Sequence, residues 1–164
     1  MTPEPAHELS VSRFIAAAPE TVYRVWTERP GEWFAPKPWT AAVEWDLRPG
    51  GRMFTQMRGP DGQGEAGEGV FLEVVPARRV VFTNTFRPGW VPQSLSGEGC
   101  DFPMVGIFEF EAEGSGTRYT ARSLHWDEES RSKHESMGFE EGWGLCTAQL
   151  AELAEAEARA PVAA

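Results

Sequence analysis

The amino-acid sequence predicts an α+β fold: a curled antiparallel sheet of about six or seven strands gripping a long C-terminal helix, with one or two short helices after the first strand. Three observations carry that reading. Over 132–157, Phe139, Trp143, Cys146, Leu150 and Leu153 recur at spacings of four and three, which puts them on one face at helical pitch. From Thr40 onward the apolar period drops to two, with turn residues between the runs. Ahead of them stand one strand-like run and a helix opened by Pro19. A chain of 164 residues with 41% hydrophobic content suffices for one well-buried domain and is short for two. The expectation is one domain over 1–164, with a loose N-terminal tail at 1–6 and a loose C-terminal end at 159–164.

The first strand is expected over 8–15. In the helix that follows, Pro19 takes the first position, Glu20 suits the helix dipole, and Val22, Val25 and Trp26 form the inner stripe. Pro30 stops it, and a second helical turn is expected over 32–34. In the next strand Val43, Trp45 and Leu47 alternate with Ala42, Glu44 and Asp46, so one face is wet. Arg48-Pro49-Gly50-Gly51 reads as a tight reversal into a strand over 52–58, and Gly59-Pro60-Asp61-Gly62 as another turn. Strands over 67–75 and 79–86 follow. Residues 87–103 carry no period and are read as a long functional loop, the lid or rim of a cavity. The last hairpin joins 104–113 to 117–126 across Gly114-Ser115-Gly116.

A Ser-x-x-Glu box at Ser132 and Glu135 marks the start of the closing helix, whose other face carries Glu140, Glu141, Thr147, Glu152 and Glu155. Its first half is odd. Gly138, Gly142 and Gly144 each cost roughly 1 kcal/mol against Ala in a helix interior. Either the backbone approaches a sheet closely there, or side chains are withheld so that a cavity stays open beside Trp143.

With 25 acidic against 15 basic residues the net charge is -10, which repels phosphate backbones and anionic lipid and argues against a nucleic-acid partner. The apolar runs are too short to cross a bilayer, and the opening residues lack a signal pattern, so no membrane insertion and a cytoplasmic location are expected. Cys100 and Cys146 read as free thiols.

The chemical candidates are few. His125 shares strand parity with Tyr119, Ala121 and Ser123, and His134 begins the closing helix; as a pair they suit acid–base work, or a metal with Glu135 or Glu141. Scattered histidines without metal-ligand spacing are more often a hydrogen-bonded rim. No Ser-His-Asp order or nucleophile elbow is present. Glu44 and Asp46 fall on the wet face, and 59–69 reads as a hairpin loop rather than a phosphate cradle. No catalytic residue, metal or cofactor is assigned. The aromatic residues, 12% of the chain, say more. Trp33, Trp45, Phe54, Trp90, Phe108, Phe110, Phe139 and Trp143, with Gly138 and Gly142 between them, suit a pocket for an apolar or aromatic small molecule. Arg52, Gln56, Asn84 and His125 are the polar candidates for orienting it.

The order of these pieces carries a family resemblance. It rests on the run 14–26, on Trp33-Phe34-Ala35-Pro36, Asp46-Leu47-Arg48-Pro49-Gly50-Gly51, the run 69–76, Gly116-Thr117-Arg118-Tyr119-Thr120 and Gly142-Trp143. On these the chain resembles the START-like (SRPBCC, birch-pollen-allergen-like) helix-grip superfamily, in the subgroup homologous to the activator of the heat-shock protein 90 ATPase. The resemblance implies the helix-grip fold but no one function, since the superfamily includes lipid and hormone binders, cyclases, hydrolases and chaperone cofactors. The expected function is binding of a small hydrophobic or aromatic ligand, as carrier or sensor. A cyclase- or hydrolase-like enzyme using the same cavity is the first alternative. A chaperone-associated interaction domain is the second, disfavoured because such a domain in the named activator works with an additional N-terminal domain, and only a short tail precedes the first strand here. A homodimer is also expected, to cover wet sheet faces and Trp90.

Overall fold

The structure, a computed structural model, describes residues 7–98 and 101–160. The expected tail at 1–6, Cys100 and residues 161–164 lie outside the described residues. Strand β1 (Glu8–Ile15) leads into helix α1 (Pro19–Glu28), where Pro19 sits in the first turn and lacks only an N–H that would have no helical partner. Val22, Val25 and Trp26 form its buried stripe. Helix α2 (Pro30–Trp33) starts two residues before the expected 32, because Pro30 that stops α1 also opens the next turn.

Then come β2 (Thr40–Trp45), β3 (Arg52–Arg58), β4 (Gly64–Val75), β5 (Arg79–Thr83), the two-residue β6 (Phe86–Arg87) and β7 (Val91–Pro92), β8 (Met104–Glu113) and β9 (Gly116–His125). Seven of them form one antiparallel sheet in the order β1-β9-β8-β5-β4-β3-β2, and β6 with β7 forms a separate ribbon. The excursion through α1 and α2 lets β1 return beside the last strand while β2 starts the opposite edge. Register defines the inner face: Val11 lies opposite Ala121, Ala121 opposite Phe108, and Phe108 opposite Val80. Gly106 belongs to this face because the Phe82 ring lies across it; a Cβ there would come within 2.0 Å of that ring.

The closing helix is not one piece. Helix α3 (Glu128–Ser136) and helix α4 (Phe139–Arg159) meet at Gly138, whose φ of 91° is left-handed and caps α4 rather than lying inside it. The start also differs from the expected one. Asp127 Oδ1 accepts from the Ser130 N–H at 2.8 Å, so the cap lies five residues before Ser132, whose hydroxyl donates instead to Glu128. Carboxylate capping directly at the exit of β9 wins over the later Ser-x-x-Glu box. Arg159 still belongs to α4. Thr147 is a further correction: it is buried, four residues after Trp143 on the same side, and its hydroxyl donates to the Trp143 carbonyl at 2.8 Å.

The second half of α4 presses Leu150, Ala151 and Ala154, all 0% exposed, into the core against α1 and β1. There Trp26 is surrounded by the rings of Trp33, Trp45, Phe108 and Phe110 at centroid distances of 5.0 to 6.2 Å. Every indole in that cluster is satisfied: Trp26 Nε1 donates to Tyr119 Oη, Trp33 Nε1 to the Trp26 carbonyl and Trp45 Nε1 to Thr55 Oγ1.

Candidate functional site: a cavity beneath the start of α4

The first half of α4 stands over the inner face without filling the space below it. A Cβ added at Gly142 or Gly144 would meet nothing within 4 Å, so neither glycine serves close packing on the sheet. The space beneath is a cavity of about 260 Å³. Its walls are Trp33, Phe34 and Pro36 at one side, Met57, Phe108, Tyr119 and Ala121 from the sheet, His134 and Met137 from α3, and Gly138, Phe139, Gly142, Trp143, Cys146 and Thr147 from α4. None of these side chains is a carboxylate, lysine or arginine. Trp143 stacks on Phe108 at 6.0 Å, and Phe108 on Phe82 at 5.9 Å, which ties the helix to the sheet while leaving the gap beside Gly142 open. A second trough of about 200 Å³, running between β3 and β5, shares Phe34 and Met57 with the first.

The polar groups at the cavity are largely committed. Thr147 bonds its own helix, Cys146 Sγ donates to the Phe34 carbonyl at 3.5 Å, and the Tyr119 hydroxyl accepts from Trp26. Burial pushes the Cys146 thiol up to about 12 and raises the Tyr119 phenol, so both stay protonated at neutral pH and neither is a nucleophile. The histidines form a line. His125 Nδ1 lies 2.7 Å from the His7 carbonyl, its Nε2 lies 2.9 Å from His134 Nδ1, and Ser123 Oγ is 3.2 Å from that same Nε2. Desolvation lowers the pKa of both rings, and His134, crowded also by His125, is pushed down to about 4. Both rings are therefore uncharged at neutral pH. Among the described residues no group of three His, Cys, Asp or Glu side chains is placed to hold a metal ion.

Of the residues expected from sequence to line a pocket, Trp33, Phe108, Gly138, Phe139, Gly142 and Trp143 border the cavity, and His125 stands directly behind His134. Trp45 and Phe110 belong to the packed aromatic cluster around Trp26. Asn84 borders the second trough and ties the ends of the long excursion together, donating to the Phe102 carbonyl and accepting from the Met104 N–H. Phe54 and Gln56 lie on the outer face, opposite Met53, Thr55 and Met57; Arg52 there stacks on Phe54 and pairs with Glu44 and Glu68. Trp90 is 53% exposed, with its ring over Gly50, and none of 87–98 lines the cavity; among the described residues of this stretch only Phe102 packs against the two histidines. Sequence reasoning omitted Phe34, Pro36, Met57, Tyr119, Ala121, His134, Met137, Cys146 and Thr147 from the pocket. Ala121 and Tyr119 were within reach by strand parity, and Cys146 by helical spacing from Trp143.

Residues 16–155 match the family model described as activator of Hsp90 ATPase homolog 1-like protein. The chain belongs to this family. The family's fold recurs in a solved protein from Nitrosomonas europaea, 36% identical, covering 94% of this chain and 98% of that one with a TM-score of 0.85. A protein from Arthrobacter aurescens is 24% identical over 92% of this chain and 87% of its own, with a TM-score of 0.76. A Silicibacter pomeroyi protein named for the same family is 22% identical over 92% of this chain and 99% of its own, with a TM-score of 0.68. The latter two likenesses show the fold alone. No curated protein matches the chain. Among the described residues no helix is long and apolar enough to cross a membrane.

Proposed function

We propose that this protein binds a small apolar or aromatic molecule in the cavity beneath the start of α4, as a cytoplasmic carrier or sensor. One observation carries the reading: Gly142 faces open space between aromatic walls, in a helix where glycine costs about 1 kcal/mol without a compensating contact. A space left free of side chains at that cost, lined by Trp33, Phe108, Phe139 and Trp143, suits a flat apolar guest. The histidine pair is the one feature that favours turnover, since two coupled rings can move a proton.

The test is native mass spectrometry of protein purified from its own source, before and after denaturation, followed by titration of any released molecule using tryptophan fluorescence. A retained molecule that rebinds unchanged supports a carrier or sensor; one that is converted replaces it with an enzyme. Gly142→Trp fills the open space, and a folded Gly142→Trp variant that still binds with unchanged affinity overturns the site.

A further inference from the structure

Few polar groups line the cavity, and hydrogen bonding fixes the chemistry of one of them, His134. The His7 carbonyl can only accept, so His125 Nδ1 carries a proton toward it. In a neutral ring the remaining His125 Nε2 is a bare lone pair, so His134 Nδ1 must donate to it across the 2.9 Å contact. His134 is neutral too, which leaves its own Nε2 as a bare acceptor. The ring is 6% exposed, and no described buried side-chain nitrogen or oxygen lacks a partner. Nε2 makes no bond to the described residues and so keeps an accessible side, and the space that the His134 ring lines is the cavity. Phe102, Phe139 and Trp143 pack edge-on around the ring at 5.0 to 5.9 Å and hold it in place. The charged groups around the pair, Asp127, Glu128 and Arg131 on the α3 side and the His7 ring bonded to Glu128, lie outside the cavity wall.

We propose that the guest is an uncharged single-ring molecule bearing a hydroxyl, a phenol or a cyclic alcohol, whose O–H donates to His134 Nε2. The proposal rests on the small-molecule reading above and names the class of molecule. About 260 Å³ suits one ring with a short substituent. A guest without a donor would bury the Nε2 lone pair unpaired, which carries a desolvation penalty. A carboxylate would meet that lone pair with no arginine or lysine in the wall to offset it.

Three probes of one shape separate these cases: 4-methylphenol, 4-methylanisole and 4-methylbenzoate, titrated at pH 7.5 by calorimetry and tryptophan quenching. In the wild type the phenol binds about tenfold tighter than the ether, with the carboxylate no better than the ether. In His134→Phe the ratio of phenol to ether falls to about one. That variant keeps an aromatic ring among Phe102, Phe139 and Trp143 and leaves His125 Nε2 the Ser123 hydroxyl, so a circular dichroism spectrum like wild type is expected. Equal binding of phenol and ether by the wild type, or tightest binding of the carboxylate, overturns the hydroxyl assignment and leaves the cavity reading standing. Failure of all three to bind overturns both.

Discussion

The two halves of α4 lie over the same sheet and do opposite things. Leu150, Ala151 and Ala154 of the second half are fully buried against α1 and β1, beside an aromatic cluster in which every indole N–H has a partner. The first half carries glycines at which an added Cβ would touch nothing and a tryptophan packed mainly against Phe108, Phe139 and the His134 edge. One helix therefore serves as a wall of the core and as the roof of a cavity. The difference teaches that burial along a helix is set turn by turn by side-chain volume, so an apolar stripe by itself does not say whether the space beneath is filled.

The largest expected effect tests the filled end. Trp26→Ala removes the ring at the centre of four aromatic neighbours and costs about 3–5 kcal/mol, whereas Trp143→Ala, beside existing free space, costs about 2 kcal/mol or less. Urea unfolding of the two variants compares them, and equal losses would erase the distinction between the halves. Next comes acid. His134 is held at about 4 in the fold against an ordinary 6.5, so between those values the unfolded chain takes up a proton that the folded chain refuses. Its contribution is complete above pH 6.5 and lost as the pH falls to about 4, to a total of about 3 kcal/mol. His125, also lowered by burial, acts in the same direction. Wild type and His134→Phe followed by urea midpoint across this range should diverge, the variant losing less; parallel curves would place the ring in a wetter setting than its neighbours imply. The smallest effects fall at the open end. Gly142→Ala and Gly144→Ala each add up to about 1 kcal/mol of helix stability. Only the first narrows the cavity, so it weakens binding of a bound ring while Gly144→Ala leaves it alone. A loss of stability in either variant, read by thermal melting, would mean a backbone contact that the open space does not show.

The elements of the sheet and the two short helices were legible because their signals are local: alternation, proline at a helix start, glycine in turns. Facing was harder where it depends on register. Trp45 points inward and lies opposite Met53, which turns Met53, Thr55 and Met57 inward and Phe54 and Gln56 outward. That pairing is decided by how 46–51 closes, with Asp46 donating to the Arg52 carbonyl and Gly51 to the Arg48 carbonyl, and no single residue type announces it. Phe54 looks like a wall residue in sequence, yet on the outer face the Arg52 guanidinium covers it at 4.5 Å. The break at Gly138 was misread because a glycine at a helix start and a glycine inside a helix look alike in sequence; its left-handed φ tells them apart. The histidine pair was named, but its contact arises from the tight passage of β9 through Trp126 and Asp127 into α3, for which no spacing rule exists.

The His7 carbonyl also accepts the His125 backbone N–H at 3.1 Å, so one oxygen holds both the main chain and the ring of that residue. An oxygen of this kind belongs to the peptide unit and not to a side chain. Nearly any amino acid able to take the φ of 62° found at position 7 would supply it equally well. Descendants of this chain could therefore inherit the polarity of the cavity with any residue at position 7 that tolerates this left-handed backbone, and a search for related binding properties by matching side chains would pass over the atom that sets it.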